Sequence, residues 1–431
     1  MMKKTIIYIL VFALVMAGVC PVITGCSHRA DAQAESTTLA QEETTQSNQA
    51  SEETSTEPTS QNESSAQKPN DKPATQTQTQ EQPQTQTQTQ AQPQTQKTEG
   101  TTTGQTQTQH QQAEAPAQQP EQTPSEQPKT SRDFSAQLKT TLANLAEKVP
   151  EPTFGTLVGE WTVLCLARGN HFEKNDTYFS GYYSRIETIV VQKAATVNQN
   201  GALHKAKSTE NSRLIVALSA IGKDATNVGG WNLITPYDNF NWILKQGING
   251  PIWAMIALDS ADYQTQDPTI RQKCLDHILQ KQLSDGGWAL TGKVSDPDIT
   301  AMTLQALYPY RDRAEIKQAA EKGFACLSAL QKANGGYVTF GDENSESCAQ
   351  VIVACATWGI DPDTDERFIK NGVSVVDSLL AHYVEAESGF KHVQSGKVDA
   401  MATDQGTYAL IAYQRLIDGK NPLYDMRDVT R

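Results

Sequence analysis

The sequence predicts an all-α fold, an (α/α)6 toroid built from helical-hairpin repeats and preceded by a signal peptide and a disordered linker. Three observations predict it. A Gly–aromatic phrase recurs at steps of 57, 49 and 53 residues, from Trp231 to Trp288, Tyr337 and Phe390. Amphipathic stretches alternate with short Ala-rich stretches that are apolar nearly all round, the pattern of outer and buried helices. No segment shows the period-two alternation of a half-buried strand.

The first element is residues 1–26. Lys3 and Lys4 precede an apolar run that ends in Ile23-Thr24-Gly25-Cys26, the layout of an export signal. The ending resembles a bacterial lipobox. That resemblance implies acylation of Cys26 and places the protein on the outer face of the bacterial cell membrane, held there by its lipid. Residues 27–132 follow, made of Gln, Thr, Ser, Glu, Pro and Ala. Such a segment buries too little apolar area to offset chain entropy, so it is expected to be a disordered tether. It also explains the composition of the 431-residue chain, with 37% hydrophobic residues and a net charge of -13. The tether holds -8 of that charge and residues 133–431 hold -7. An acidic domain of this kind argues against nucleic acid, and it is expected to be a monomer.

In 133–431, outer helices are expected near 136–148, 178–193, 237–246, 267–282, 314–331 and 367–384. Buried partners are expected near 157–168, 211–221, 251–259, 299–308, 346–357 and 402–416. A period near 50 residues means a two-helix unit that stacks on its neighbours to bury its face. Gly-Gly after an outer helix supplies a positive-φ stop, and the following Trp, Tyr or Phe plugs between helices. Ser295 is a plausible N-cap, with Pro297 in the first turn and Asp298 favoured by the helix dipole. Ser345 with Glu346, and Thr209 with Glu210, suggest the same arrangement. The five cysteines here, Cys165, Cys274, Cys326, Cys348 and Cys355, are odd in number and lack a CxxC pair. They read as buried thiols; no zinc site, other metal or cofactor is indicated.

These phrases carry a family resemblance. Gln282…Asp285-Gly286-Gly287-Trp288 resembles the QW repeat of squalene and oxidosqualene cyclases. Asp296-Pro297-Asp298-Ile299-Thr300-Ala301 resembles their Asp-x-Asp-Asp-Thr-Ala acid motif. Most of 155–417 is similar to the prenyltransferase/squalene-cyclase repeat superfamily, which includes the cobalamin carriers intrinsic factor and transcobalamin. The resemblance implies a toroid and, at the acid motif, a catalytic role for Asp298 beside Asp296. The family's second carboxylate is Ile299 here, and capping is the competing role for Asp298.

In such a toroid the buried helices run parallel and their N-termini meet at one mouth. That mouth would collect Glu160, Glu210, Asp296, Asp298, Glu346 and Asp404, with His204 and His392 at the same end. Tyr182, Tyr183, Trp231, Trp253 and Trp288 could wall the pit below. A polar rim over an apolar pit is a usual form of ligand site. Three functions fit: a surface-tethered binding module for a bulky amphipathic ligand, cobalamin- or isoprenoid-like; an enzyme, either cyclase-like with Asp298 as general acid or a carboxylate-dependent hydrolase; or a protein-interaction scaffold. The sequence favours the first and does not name the ligand.

Overall fold

The computed structural model describes residues 132–430, apart from 158 and 198. The expected signal segment, Cys26 and the expected tether up to residue 131 lie outside the described residues. The described chain is mostly helical. Its helices are α1 Ser135–Lys148, α2 Glu160–Arg168, α3 Thr177–Val197, α4 Ser208–Ala220, α5 Phe240–Leu244, α6 Asn249–Ser260, α7 Ile270–Gln280, α8 Pro297–Leu307, α9 Ala314–Leu330, α10 Ser345–Thr357, α11 Val375–Leu380 and α12 Ala400–Ile417.

The even-numbered helices are the buried ones. Every residue of α8 and of α10 is buried, whereas α7 buries only Ile270, Cys274, Leu275 and Ile278 along one stripe. Helix α2 packs on α4, α4 on α6, α6 on α8, α8 on α10, α10 on α12, and α12 returns to α2. Helices α7, α9 and α11 lie against α6, α8 and α10 respectively. The two ends of the ring are tied across the seam. The Arg132 guanidinium bonds both Asp363 and Asp377, while Arg168 holds Asp428 at 2.7 Å.

The repeat phrase explains how one unit is fastened to the next. At the end of α7, Gln282 Nε2 donates to the Gly286 carbonyl at 2.7 Å and to Ala319 of α9 at 2.8 Å. Gln331 repeats this with Gly335 and Phe368 at 3.0 and 2.9 Å. Trp288 is wholly buried; its indole N–H donates to Ile278 and its backbone N–H to Thr300 Oγ1. Tyr337 and Phe390 occupy the equivalent places, with Tyr337 bonding Leu327 and Phe390 bonding Thr403 Oγ1. Gly286 and Gly335 take the left-handed conformation, and Ser388 takes it in the third copy. That copy has Val384 where the others have Gln, and a short ladder between Tyr383–Val384 and Gly389–Phe390 replaces the amide tie.

Three expectations are corrected. The outer stretches 237–246 and 367–384 hold only the short helices α5 and α11. Pro236 and Gly247 bound the first, and the turn at Asn371-Gly372 interrupts the second with a hairpin. Strand is present as three two-residue hairpins, β1–β2 (Val338–Thr339 with Asp342–Glu343), β3–β4 (Ile369–Lys370 with Val373–Ser374) and β5–β6. They are too short for a period-two pattern to register. Two caps also sit one residue away from the expected position, later at α8 and earlier at α10. Asp296, not Ser295, caps α8 by accepting the Ile299 N–H, and Asn344, not Ser345, caps α10. Ser295 instead donates to Asp285 at 2.6 Å, which holds the loop from the Gly-Gly turn against the start of α8.

Candidate functional site

Capping determines where the acids of α8 point. Asp296 accepts from Ile299 N–H at 2.9 Å with one oxygen, and Thr339 Oγ1 lies 3.5 Å from the other. With the cap supplied by Asp296, Asp298 has no capping bond to make. It stands in the first turn of α8, 2% exposed, and neither carboxylate oxygen has a hydrogen-bond partner. Burial pushes its proton affinity well above the usual carboxylate range, and the charges of Asp296 and Glu346 push it further; the hydroxyls of Ser347 and Thr339 are close enough to oppose this in part, though neither meets hydrogen-bond geometry with Asp298. Desolvation thus favours the protonated form of Asp298. Burial raises Asp296 as well, against the pull of its backbone N–H donors.

Across from α8, the first turn of α10 presents Glu346 and Ser347. Glu346 Oε2 bonds His392 Nδ1 at 2.8 Å and accepts the Ser345 hydroxyl at 3.1 Å. Burial disfavours the imidazolium of His392, but the Glu346 hydrogen bond and charge outweigh it and raise its pKa. Ser347 Oγ is buried without a partner. Asp296, Asp298, Glu346 and His392 are thus one cluster, and the β1–β2 hairpin reaches it through Thr339.

The other expected residues stand apart from that cluster. Glu160 is fully buried and bonds Arg213 Nε and the Gly155 N–H, each at 2.9 Å; burial still raises its pKa over the effect of Arg213. Asp404 accepts from Thr162 Oγ1 at 2.9 Å beside a cavity of about 200 Å3 shared with Asn144 and Thr403. Burial pushes its pKa up to about 8. Glu210 faces Lys193 Nζ at 4.0 Å. His204 accepts the Ala206 and Lys207 backbone N–H groups on Nδ1, both at 3.0 Å, so that nitrogen is committed to a loop. Trp231 lies in the turn that pairs with Val228, and Trp288 is the wedge described above. Neither walls the cluster. Tyr182 is fully buried in α3, and Tyr183 bonds the Asn227 carbonyl on the outside.

Of the expected wall residues, Trp253 lies at the ring's centre, beside several residues that went unread in the sequence. Trp161 of α2 meets Trp253 of α6 with ring centroids 5.3 Å apart, and meets Tyr408 of α12 at 6.0 Å. Gln350 of α10 donates to Gln405 and to Tyr408 OH, and Gln305 of α8 donates to Gln350. The indole N–H groups of Trp161 and Trp253, Thr303 Oγ1 and Gln405 Nε2 are buried without partners. A glutamine in each of three otherwise apolar helices was the available signal, because a buried amide needs polar company. The centre is filled by touching rings and amides, and it is polar. Among the described residues no group of His, Cys, Asp and Glu is placed to hold a metal ion, and all five cysteines are buried free thiols.

No family model matches the sequence, and no curated protein matches it. Two solved structures are similar in shape. One is an unsaturated glucuronyl hydrolase from Bacillus sp. GL1, described as responsible for the degradation of glycosaminoglycan. It has 12% identity and a TM-score of 0.43, over 68% of this chain and 98% of that one. The other is described as UGL with dGlcA-Glc-Rha-Glc and has 12% identity and a TM-score of 0.42 over the same shares.

Proposed function

We propose that residues 133–431 form an (α/α)6 toroid working as a carboxylate-dependent hydrolase of glycosidic bonds, carried outside the cell on a lipid anchor at Cys26. The observation that carries this reading is Asp298, a buried carboxyl with both oxygens unpaired, whose proton affinity is raised by burial and by Asp296 and Glu346. Such a group can protonate a leaving oxygen at neutral pH. Glycoside cleavage needs a second carboxyl across the scissile bond, and Glu346 takes that role, oriented by His392 and Ser345.

The same observations weigh against the other enzyme reading. Protonating an alkene needs a dry, apolar pit, whereas the ground beneath Asp298 carries Gln305, Gln350 and Gln405. A binding module stands second, supported by the unpaired indole donors of Trp161 and Trp253. A cobalamin-sized ligand fits it poorly, because those rings already touch. The test is release of nitrophenol from a panel of nitrophenyl glycosides by wild type and by Asp298→Asn, with unchanged far-UV circular dichroism as the fold control. The expected loss is about 10²–10⁴-fold. Equal turnover by the variant ends the reading.

A further inference from the structure

A second cavity lies at the opposite end of the ring, apart from every residue of the acid cluster. It measures about 450 Å3 and is walled by the last turns of α6, α8 and α10 and by the segment Pro422–Arg427. That segment is fixed in place: Arg168 donates to the Pro422 and Asp425 carbonyls, both at 3.0 Å, and Arg415 donates to Asn421 at 2.8 Å.

Two buried polar atoms on its wall lack partners, Gln305 Oε1 and Tyr424 OH; their residues are 5% and 8% exposed. The amide of Gln305 is oriented, since its Nε2 donates to the Gln350 carbonyl at 3.1 Å. Its acceptor is therefore the free end. The electrostatics also call for a donor. Three helix C-termini bring partial negative charge to the cavity, and Asp259, Asp262, Asp312 and Asp425 stand on its wall. Asp259 is paired with Arg271 and Asp425 with Arg427, while Arg311 lies over the Tyr308 ring. Asp262 and Asp312 are in no ion pair among the described residues. Met255, Ile256 and Pro309 supply apolar wall.

We propose that this cavity is a second small-molecule site, for a ligand carrying a primary ammonium group on an apolar body. The ammonium donates to Gln305 Oε1 and Tyr424 OH and faces Asp262. The site does not depend on the hydrolase reading, which rests on Asp298 and Glu346; neither of these lines the cavity, and only Gln305 borders both.

Equilibrium titration of the full chain in detergent with phenethylammonium chloride tests it, with 2-phenylethanol as the uncharged counterpart. Saturable binding of the amine is expected, about tenfold weaker in Tyr424→Phe and in Asp262→Asn, and about tenfold weaker for the alcohol on wild type. Both substitutions are conservative, and a thermal melt of each confirms the fold. Absence of saturation at millimolar amine overturns the proposal. So does binding of equal strength in wild type and both variants, and so does an alcohol that binds as well as the amine.

Discussion

Glu346 Oε2 sits 2.8 Å from His392 Nδ1, and this contact couples the acid cluster to pH. His392 has a raised pKa in the folded protein, as burial is outweighed by Glu346. The pair's contribution to stability is then full below the ordinary histidine value of 6.5 and is lost as pH rises through the folded value. Comparing thermal midpoints of wild type and His392→Gln across pH should show the largest gap on the acid side, closing as pH rises. A gap that widens with pH would contradict the assignment.

Asp404 has the same linkage sign, but here the variant gains stability rather than loses it. Its pKa rises from the ordinary 3.8 to about 8 on burial, so the folded state binds the extra proton and stability falls as pH climbs across that window. Asp404→Asn keeps an acceptor for Thr162 and removes the ionisation. The variant should gain on wild type between those two values and hold a constant advantage above them. Denaturant midpoints at a series of pH values read this directly.

Gln331 fastens one repeat to the next through Gly335 and Phe368 and is 7% exposed. Gln331→Leu leaves two carbonyls without their donor, at a cost of about 1–3 kcal/mol for each one that water cannot reach. Urea unfolding should show a loss of that order. An unchanged midpoint would mean that the tie carries no stability.

Gly406 makes room for Phe390. A Cβ at this position would lie 2.6 Å from the Phe390 ring, so Gly406→Ala should cost about 1–3 kcal/mol through overpacking despite the better helix propensity of alanine. Phe390→Leu should recover part of the loss in the double variant. Purely additive losses in a double-mutant cycle would argue against this contact as the cause.

Cys26 lies outside the described residues, and the anchor is tested separately. Wild type expressed in a bacterial host should incorporate labelled palmitate and sediment with membranes. Cys26→Ala should do neither. Label retained in the variant would place acylation elsewhere.

The order of outer and buried stretches was legible in the sequence because it rests on local periodicity. Ala-rich runs apolar on every side became α8 and α10, and the one-sided stretches became α7 and α9. The Gly–aromatic phrase was legible as a wedge for the same reason, since a turn glycine and the plug beside it are neighbours in the chain. The two short outer helices were not legible. Their apolar residues also suit 3-10 turns and hairpins, which bury the same side chains against the same buried helices.

The site was legible in part. A count of acids at helix starts put Asp296, Asp298 and Glu346 at one mouth, but it offered Asp298 as a cap. Which aspartate caps is a matter of a single residue's backbone angles, and these placed Asp296 at the extended position. His392, some 46 residues from Glu346 in the chain, reached its partner only through the ring. The rings of Trp161, Trp253 and Tyr408 likewise met only because helices far apart in sequence converge on one axis. Sequence alone determined the helical alternation and the chemistry available at each helix start. The tertiary structure decided which acids stay buried and unpaired, because desolvation depends on the neighbours that exclude water, and those neighbours come from distant parts of the chain.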